Sequence, residues 1–139
     1  DTEQAKKSVV LIANFIDELI AKYPVDKENV TLFGFSQGSI LSYAVALNYP
    51  EKIKNVIALS GYIQEELVSN EGKTNSYAHL ELYCPHGSVD QVIPVALARK
   101  TKPFLDNLGS KNQYSEFPVG HGVASQNFFE LKAWLEKRI

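Results

Sequence analysis

Residues 34–38 read Gly-Phe-Ser-Gln-Gly, a serine set between two glycines at the end of an apolar run. That pattern suits a chain that turns so sharply from strand to helix that the serine takes a strained backbone conformation, with side chains two positions away on either side excluded by clash. Such a turn lifts the Ser36 hydroxyl into the open. It also aims the first N–H groups of the following helix, that of Gln37 above all, at an oxyanion bound there. Without a strand before it and a helix after it, the same five residues make an ordinary glycine-flanked turn, so the chemistry depends on partners elsewhere in the chain.

A serine hydroxyl is a poor nucleophile until a base takes its proton, and an imidazole is the usual base. The chain has three histidines. His121 lies in Gly-His-Gly at 120–122, a loop that leaves the backbone free to present the ring over a cleft. His86, between Pro85 and Gly87, competes for the role, and its alternative is a turn residue bonded to backbone. His79 stands in a polar stretch before a strand and reads as a solvated loop residue. The base needs an acid to fix its tautomer and to stabilise the imidazolium. Asp90, in the loop 86–94 (HGSVDQVIP), supplies one, although an N-cap or Asx-turn role for the helix beginning at Pro94 is the alternative there. Asp106, in a helix body, and Glu116, inside a strand, are the other carboxylates considered. Cys84 reads as a small buried hydrophobe without an elbow around it. Val92 and Val123, each beside one of the proposed catalytic residues, are candidates for lining a substrate pocket.

The elements that position these residues follow from apolar periodicity. Asp1 to Gln4 forms a capping box before a helix carrying Ala5, Val9, Ile12, Ile16 and Leu19, which Tyr23-Pro24 should end. Residues 30–35 (VTLFGF) and 55–60 (NVIALS) are continuous apolar runs, the mark of parallel strands covered on both faces. Between them, 39–48 is a helix stopped by Tyr49-Pro50. Residues 61–79 turn polar and read as an excursion over the surface. A third strand is expected at 80–84, a helix from Pro94 to Leu108 closed by Gly109, and an edge strand at 113–117. A last helix, capped by Ser125, carries Phe128, Leu131, Leu135 and a core Trp134. The alternation predicts an α/β sandwich with a parallel sheet flanked by helices and joined by right-handed crossovers. Ligands in such sheets sit at the carboxyl ends of the strands, where Ser36, Asp90 and His121 all fall.

The chain has 139 residues, 45% of them hydrophobic and 22% charged, which suits one globular domain over 1–139. Fourteen basic against sixteen acidic residues give a net charge of −2 with no clustered run, which argues against nucleic acid as a partner. No apolar run approaches the roughly 20 residues that cross a bilayer, so no membrane span is expected. The one cysteine precludes an internal disulfide and suits a reducing, cytoplasmic compartment.

GFSQG, HGSVDQVIP and GHGV, in that order, resemble the phospholipase/carboxylesterase branch of the α/β-hydrolases, the group of acyl-protein thioesterases and small carboxylesterases. The likeness runs from the first helix through Leu59-Ser60-Gly61 to the last helix. It implies that Ser36 is nucleophile, Asp90 the orienting acid, His121 the base and the Gln37 amide one oxyanion donor. It also implies hydrolysis of a small carboxylic ester or thioester without metal or organic cofactor. The family sheet has further strands before the nucleophile strand, and an early loop that gives a second oxyanion N–H. Residues 1–139 therefore read as the C-terminal part of an α/β-hydrolase core lacking those N-terminal strands, with the apolar edge of 30–35 expected to pair with a second chain, as in a dimer, or with further strands. A non-catalytic fragment or assembly module, inactive as the isolated chain, is the alternative reading. Within enzymes, peptidase or dienelactone-hydrolase-like activity is the variant, since a triad fixes mechanism and not substrate.

Overall fold

In the computed structural model, which describes residues 1–69 and 76–139, four parallel strands form one sheet in the order β1-β2-β3-β4. They are β1 (Thr31–Phe35), β2 (Asn55–Leu59), β3 (Glu81–Gly87) and β4 (Lys111–Phe117). Each neighbouring pair is in parallel register, with Phe35 opposite Leu59, Ile57 opposite Tyr83 and His86 opposite Glu116. Among the described residues five α-helices flank it: α1 (Thr2–Lys22), α2 (Gln37–Asn48), α3 (Val95–Ala98), α4 (Thr101–Leu108) and α5 (Ser125–Glu136). None of the described helices is long and apolar enough to cross a membrane.

Alternation along the strands splits the apolar residues between the two faces of the sheet. Val56, Ala58, Leu82 and Cys84 face α1, α2 and α4, packing with Val9, Ile16, Tyr43, Val45, Leu47 and Leu105. Ile57, Leu59 and Tyr83 face α5, meeting Leu131 and Trp134. The Tyr83 and Trp134 rings stack at 5.8 Å, and the Arg138 guanidinium lies over the Trp134 ring, 3.9 Å from its centroid.

The expectation that residues 30–35 are covered on both faces fails on one of them. Phe33 and Phe35 are 58% and 44% exposed, because α5 covers β2 and β3 and its cluster stops short of β1 at the end of the sheet. The single helix expected from Pro94 to Leu108 is two, with Pro94 at the N-cap of α3 and a break at Arg99-Lys100. A continuous helix would bury Pro103 in its interior, where the ring opposes the Arg99 carbonyl and offers no N–H. The break moves it into the first turn of α4, where it is tolerated. Gly109 closes α4 at φ 80°. Ser125 is the first helical residue of α5 and not its cap, since Ala124 already holds the extended N-cap geometry.

Residues 70–75 of the expected excursion lie outside the described residues. Its two ends are tied down: Asn48 donates to Leu67 O (2.7 Å) and accepts from Ser69 N–H (2.8 Å), while the Tyr77 hydroxyl donates to Leu47 O (2.9 Å).

Candidate active site

The elbow after β1 is the point where a strand ladder becomes a helix without a connecting loop. Ser36 adopts φ 56°, ψ −116° and gives its N–H to Leu59 O on β2 at 2.8 Å. It occupies the N-cap position of α2 but makes no side-chain cap bond, so its hydroxyl stays available. Gly34 is essential to the reversal: a Cβ there would overlap Gly38 O, Gly38 C and Ser39 N, all main-chain atoms. Gly38 differs from expectation, for a Cβ on it meets nothing within 4 Å. The close approach is one-sided, with the Gly38 backbone moving into the space that Gly34 leaves.

His121 reaches this serine by an analogous fit. The bracket at Gly120 and Gly122 was expected to free its loop, yet a Cβ at Gly122 meets nothing, and at Gly120 only Val89 O at 3.9 Å. The glycine that matters is Gly87, at the end of β3, where a Cβ would overlap the carbonyl oxygens of Val119 and Gly120. Ser88 N–H to Phe117 O (2.8 Å) and Val89 N–H to Val119 O (3.2 Å) then seal the loop of Asp90 to the loop of His121.

The three groups form one hydrogen-bonded line. His121 Nδ1–H donates to Asp90 Oδ2 at 2.7 Å, and the Ser36 hydroxyl donates to His121 Nε2 at 2.9 Å. The carboxylate side fixes the tautomer, since an ionised oxygen accepts only and leaves the second ring nitrogen as acceptor. Phe35 packs on the imidazole, with ring centroids 4.9 Å apart.

Asp90 makes both of the contacts that its sequence position suggested, one with each oxygen. Oδ2 holds His121, while Oδ1 accepts from Val92 N–H (2.8 Å) and Ile93 N–H (2.9 Å) in the turn before α3. Burial works to raise its pKa, but the bonds from His121, Ile93 and Val92 outweigh that effect and hold the carboxyl below the usual aspartate value.

The other histidines and carboxylates are engaged differently. His86 is a buried strand residue and not a turn residue, because β3 continues through Gly87; its Nε2–H donates to Ile93 O at 2.8 Å and lies 3.4 Å from Asp90 Oδ2. His79 sits before β3, at the opposite end of the sheet, and is bonded to Pro50 O at 2.6 Å. Asp106 pairs with Asn112 and Lys102, and Glu116 with Arg99 and Tyr114. Burial pushes the Cys84 thiol up to about 12, which leaves it inert. Val92 and Val123 are exposed on the loops that carry Asp90 and His121. Gln37 also lines a groove of about 400 Å³, together with Gln4, Ile40, Leu41, Gln64 and Leu67.

Sequence reasoning missed Ser60, which ends β2 with the same positive φ, 56°, as Ser36. It also missed Ser39, which is buried and whose hydroxyl donates to Ser36 O at 2.8 Å. Ser39 follows the elbow glycine, where a small hydroxyl one helical turn from Ser36 is a visible signal.

A parallel sheet with a strained serine between strand and helix, joined to an imidazole and a carboxylate from later strand ends, defines the α/β-hydrolase class. The sequence profile of the phospholipase/carboxylesterase family matches residues 1–139, and the chain belongs to that family. It is 28% identical over 140 residues to a probable carboxylesterase, SOBER1-like, of Arabidopsis thaliana, covering 100% of this chain and 53% of that protein. To acyl-protein thioesterase 1 of Saccharomyces cerevisiae it is 32% identical over 111 residues, 77% of this chain and 48% of the relative. The crystal structure of the Bacillus cereus carboxylesterase superposes with TM-score 0.87 at 18% identity, covering 100% of this chain and 64% of that one. The chain thus spans about half the length of the curated relatives it matches.

Proposed function

We propose that the protein hydrolyses carboxylic esters or thioesters through an acyl-enzyme on Ser36. The single observation that carries the reading is the continuous line from Ser36 Oγ through His121 to Asp90, with spans of 2.9 and 2.7 Å. His121 Nε2 takes the hydroxyl proton as Oγ attacks the acyl carbon, and the carbonyl electrons move to an oxyanion facing the Gln37 N–H. The imidazolium, held by ionised Asp90, then protonates the departing alcohol or thiol as its bond to the acyl carbon breaks. Water enters, gives its proton to His121 and its oxygen to the acyl carbon, and the bond from that carbon to Oγ then breaks as the imidazolium returns the proton to Ser36 and the carboxylic acid leaves. Val92 and Val123 flank the acyl side of this path. No step calls for a metal or an organic cofactor.

A fluorophosphonate probe tests the assignment. It should label the protein on Ser36, with labelling abolished in Ser36→Ala and turnover of a short-chain ester reduced at least about 10³-fold in His121→Ala. Labelling that persists in Ser36→Ala, or undiminished hydrolysis by His121→Ala, would overturn it.

The exposed Phe33 and Phe35 at the end of the sheet favour a second reading for the isolated 139-residue chain, an inactive module completed along β1 by another chain or by further strands. Turnover by a monomer of this chain, shown by sedimentation alongside the ester assay, would sink that reading.

A further inference from the structure

We propose that Ser39 is a positioning residue for the oxyanion donor, its hydroxyl bonded to the Ser36 carbonyl and packed against Gly61 so as to set the aim of the Gln37 N–H. The proposal rests on the acyl-enzyme reading above. A trans peptide is planar, with its C=O and N–H pointing in opposite directions, so whatever orients the Ser36 carbonyl orients the Gln37 N–H with it. At the first helical position that N–H has no intrahelical acceptor. The Ser36 carbonyl takes three donors: Ser39 N–H at 3.0 Å, Ile40 N–H at 3.2 Å and the Ser39 hydroxyl at 2.8 Å. The two backbone bonds are those of any helix start. The hydroxyl is the addition, and it is the shortest of the three.

The surroundings hold that hydroxyl where it is. Ser39 is 0% exposed, so no water competes for it, and leaving it unbonded would carry the cost of a buried orphan donor. Beside it lies Gly61, where a Cβ would overlap Ser39 Oγ and approach Ser36 O to 3.1 Å. Gly61 is brought there by Ser60, which leaves β2 at φ 56° and bonds through its N–H to Pro85 O at 3.2 Å. The strand end of β2 is thus a backstop for the elbow of β1, and the serine hydroxyl transmits its position to the peptide that meets the developing charge. A bond aimed at that charge is worth more in the transition state than in the ground state, so its loss should fall on kcat.

The experiment measures kcat and KM of Ser39→Ala with a short-chain ester, together with inhibition by an alkyl boronic acid, which forms a tetrahedral adduct on Ser36. We expect kcat to fall about tenfold and boronic acid affinity to fall in step, with KM unchanged. Gly61→Ala should be worse than Ser39→Ala, and the double variant better than Gly61→Ala alone, because removing the hydroxyl makes room for the new methyl. Should Gly61→Ala not fold, the split between kcat and KM in Ser39→Ala decides alone. Fluorophosphonate labelling runs in parallel. Labelling confined to Ser36 with kcat and boronic acid affinity unchanged in Ser39→Ala overturns the positioning role and spares the acyl-enzyme reading. Labelling that survives Ser36→Ala overturns both.

Discussion

Two serines end adjacent strands in the same way and meet different fates. Ser36 closes β1 and Ser60 closes β2, both at φ 56°, and the residues before them, Phe35 and Leu59, are register partners. Each gives its N–H to the next strand, Ser36 to Leu59 O and Ser60 to Pro85 O. There the likeness stops. Ser36 is followed at once by α2, and its hydroxyl meets His121; Ser60 is 2% exposed and is followed by Gly61 and an irregular stretch. A left-handed serine at a strand end is therefore a property of how this sheet releases its chains, at a cost of order 1–3 kcal/mol that the surrounding bonds must hold. Reactivity needs two further things, an open path to solvent and an oriented base.

Removing the orientation is the largest way to erase the difference between the two serines. Asp90→Asn keeps an acceptor for the Val92 and Ile93 N–H groups but takes away the charge that selects the His121 tautomer. We expect kcat to fall about 10³–10⁴-fold with the fold intact by circular dichroism. Because the Asp90 carboxyl is held below its usual value, it contributes stability above the unfolded aspartate pKa of about 4, and that contribution is lost as pH falls toward the lower folded value. Glu116, lowered to about 2 by the Arg99 guanidinium and the Tyr114 hydroxyl, titrates alike in both proteins. Urea denaturation at pH 7 and pH 3 should show the parent losing more stability than Asp90→Asn. Equal losses would contradict the ionised pairing.

Next in size is the steric asymmetry of the elbow. Gly34→Ala drives a methyl into the main chain of Gly38 and Ser39, which no rotamer change relieves. It should cost about 1–3 kcal/mol in denaturant titration and suppress fluorophosphonate labelling. Gly38→Ala puts its methyl into open space in the first turn of α2, so it should be neutral or stabilising by up to about 1 kcal/mol. A Gly38→Ala protein as damaged as Gly34→Ala would refute the one-sided packing.

How much of this was legible in the sequence depended on the range of the cause. The strands at 30–35 and 55–60 are locally apolar, and the elbow is a geometry of five adjacent residues, so both could be read directly. The α3–α4 break also had a local signal, Pro103, which a helix running from Pro94 overlooks. Gly87 had none. Its reason for being glycine is the backbone of Val119 and Gly120, more than 30 positions later, whereas the visibly suggestive Gly120 and Gly122 meet almost nothing. Phe33 and Phe35 look like core by composition and are exposed by their place at the end of the sheet. For Asp90, a turn role and an acid role looked like alternatives because a sequence has one letter where a carboxylate has two oxygens. Nothing in Leu59-Ser60-Gly61 marks Ser60 as left-handed, for its conformation comes from pairing with β3.

That shared φ gives the finest test of the comparison. An alanine at φ 56° keeps a Cβ and its clash with the following carbonyl, while a glycine has neither. The relief, about 1–2 kcal/mol per residue, is offset by the greater freedom of glycine in the unfolded chain, about 0.5–1 kcal/mol. Ser60→Gly should therefore be more stable than Ser60→Ala by about 0.5–1 kcal/mol, read from urea midpoints at constant m-value. Ser36→Gly against Ser36→Ala should show a difference of the same sign and size if strain belongs to the rim of the sheet and not to Ser36 alone. Turnover separates what stability joins: Ser60→Gly should keep kcat within about threefold, the effect of a small shift in the Gly61 backstop, while either Ser36 variant loses it. A stability gap at Ser36 with none at Ser60 would mean that the strain is local to the elbow, and that the two turns are alike only in their angle.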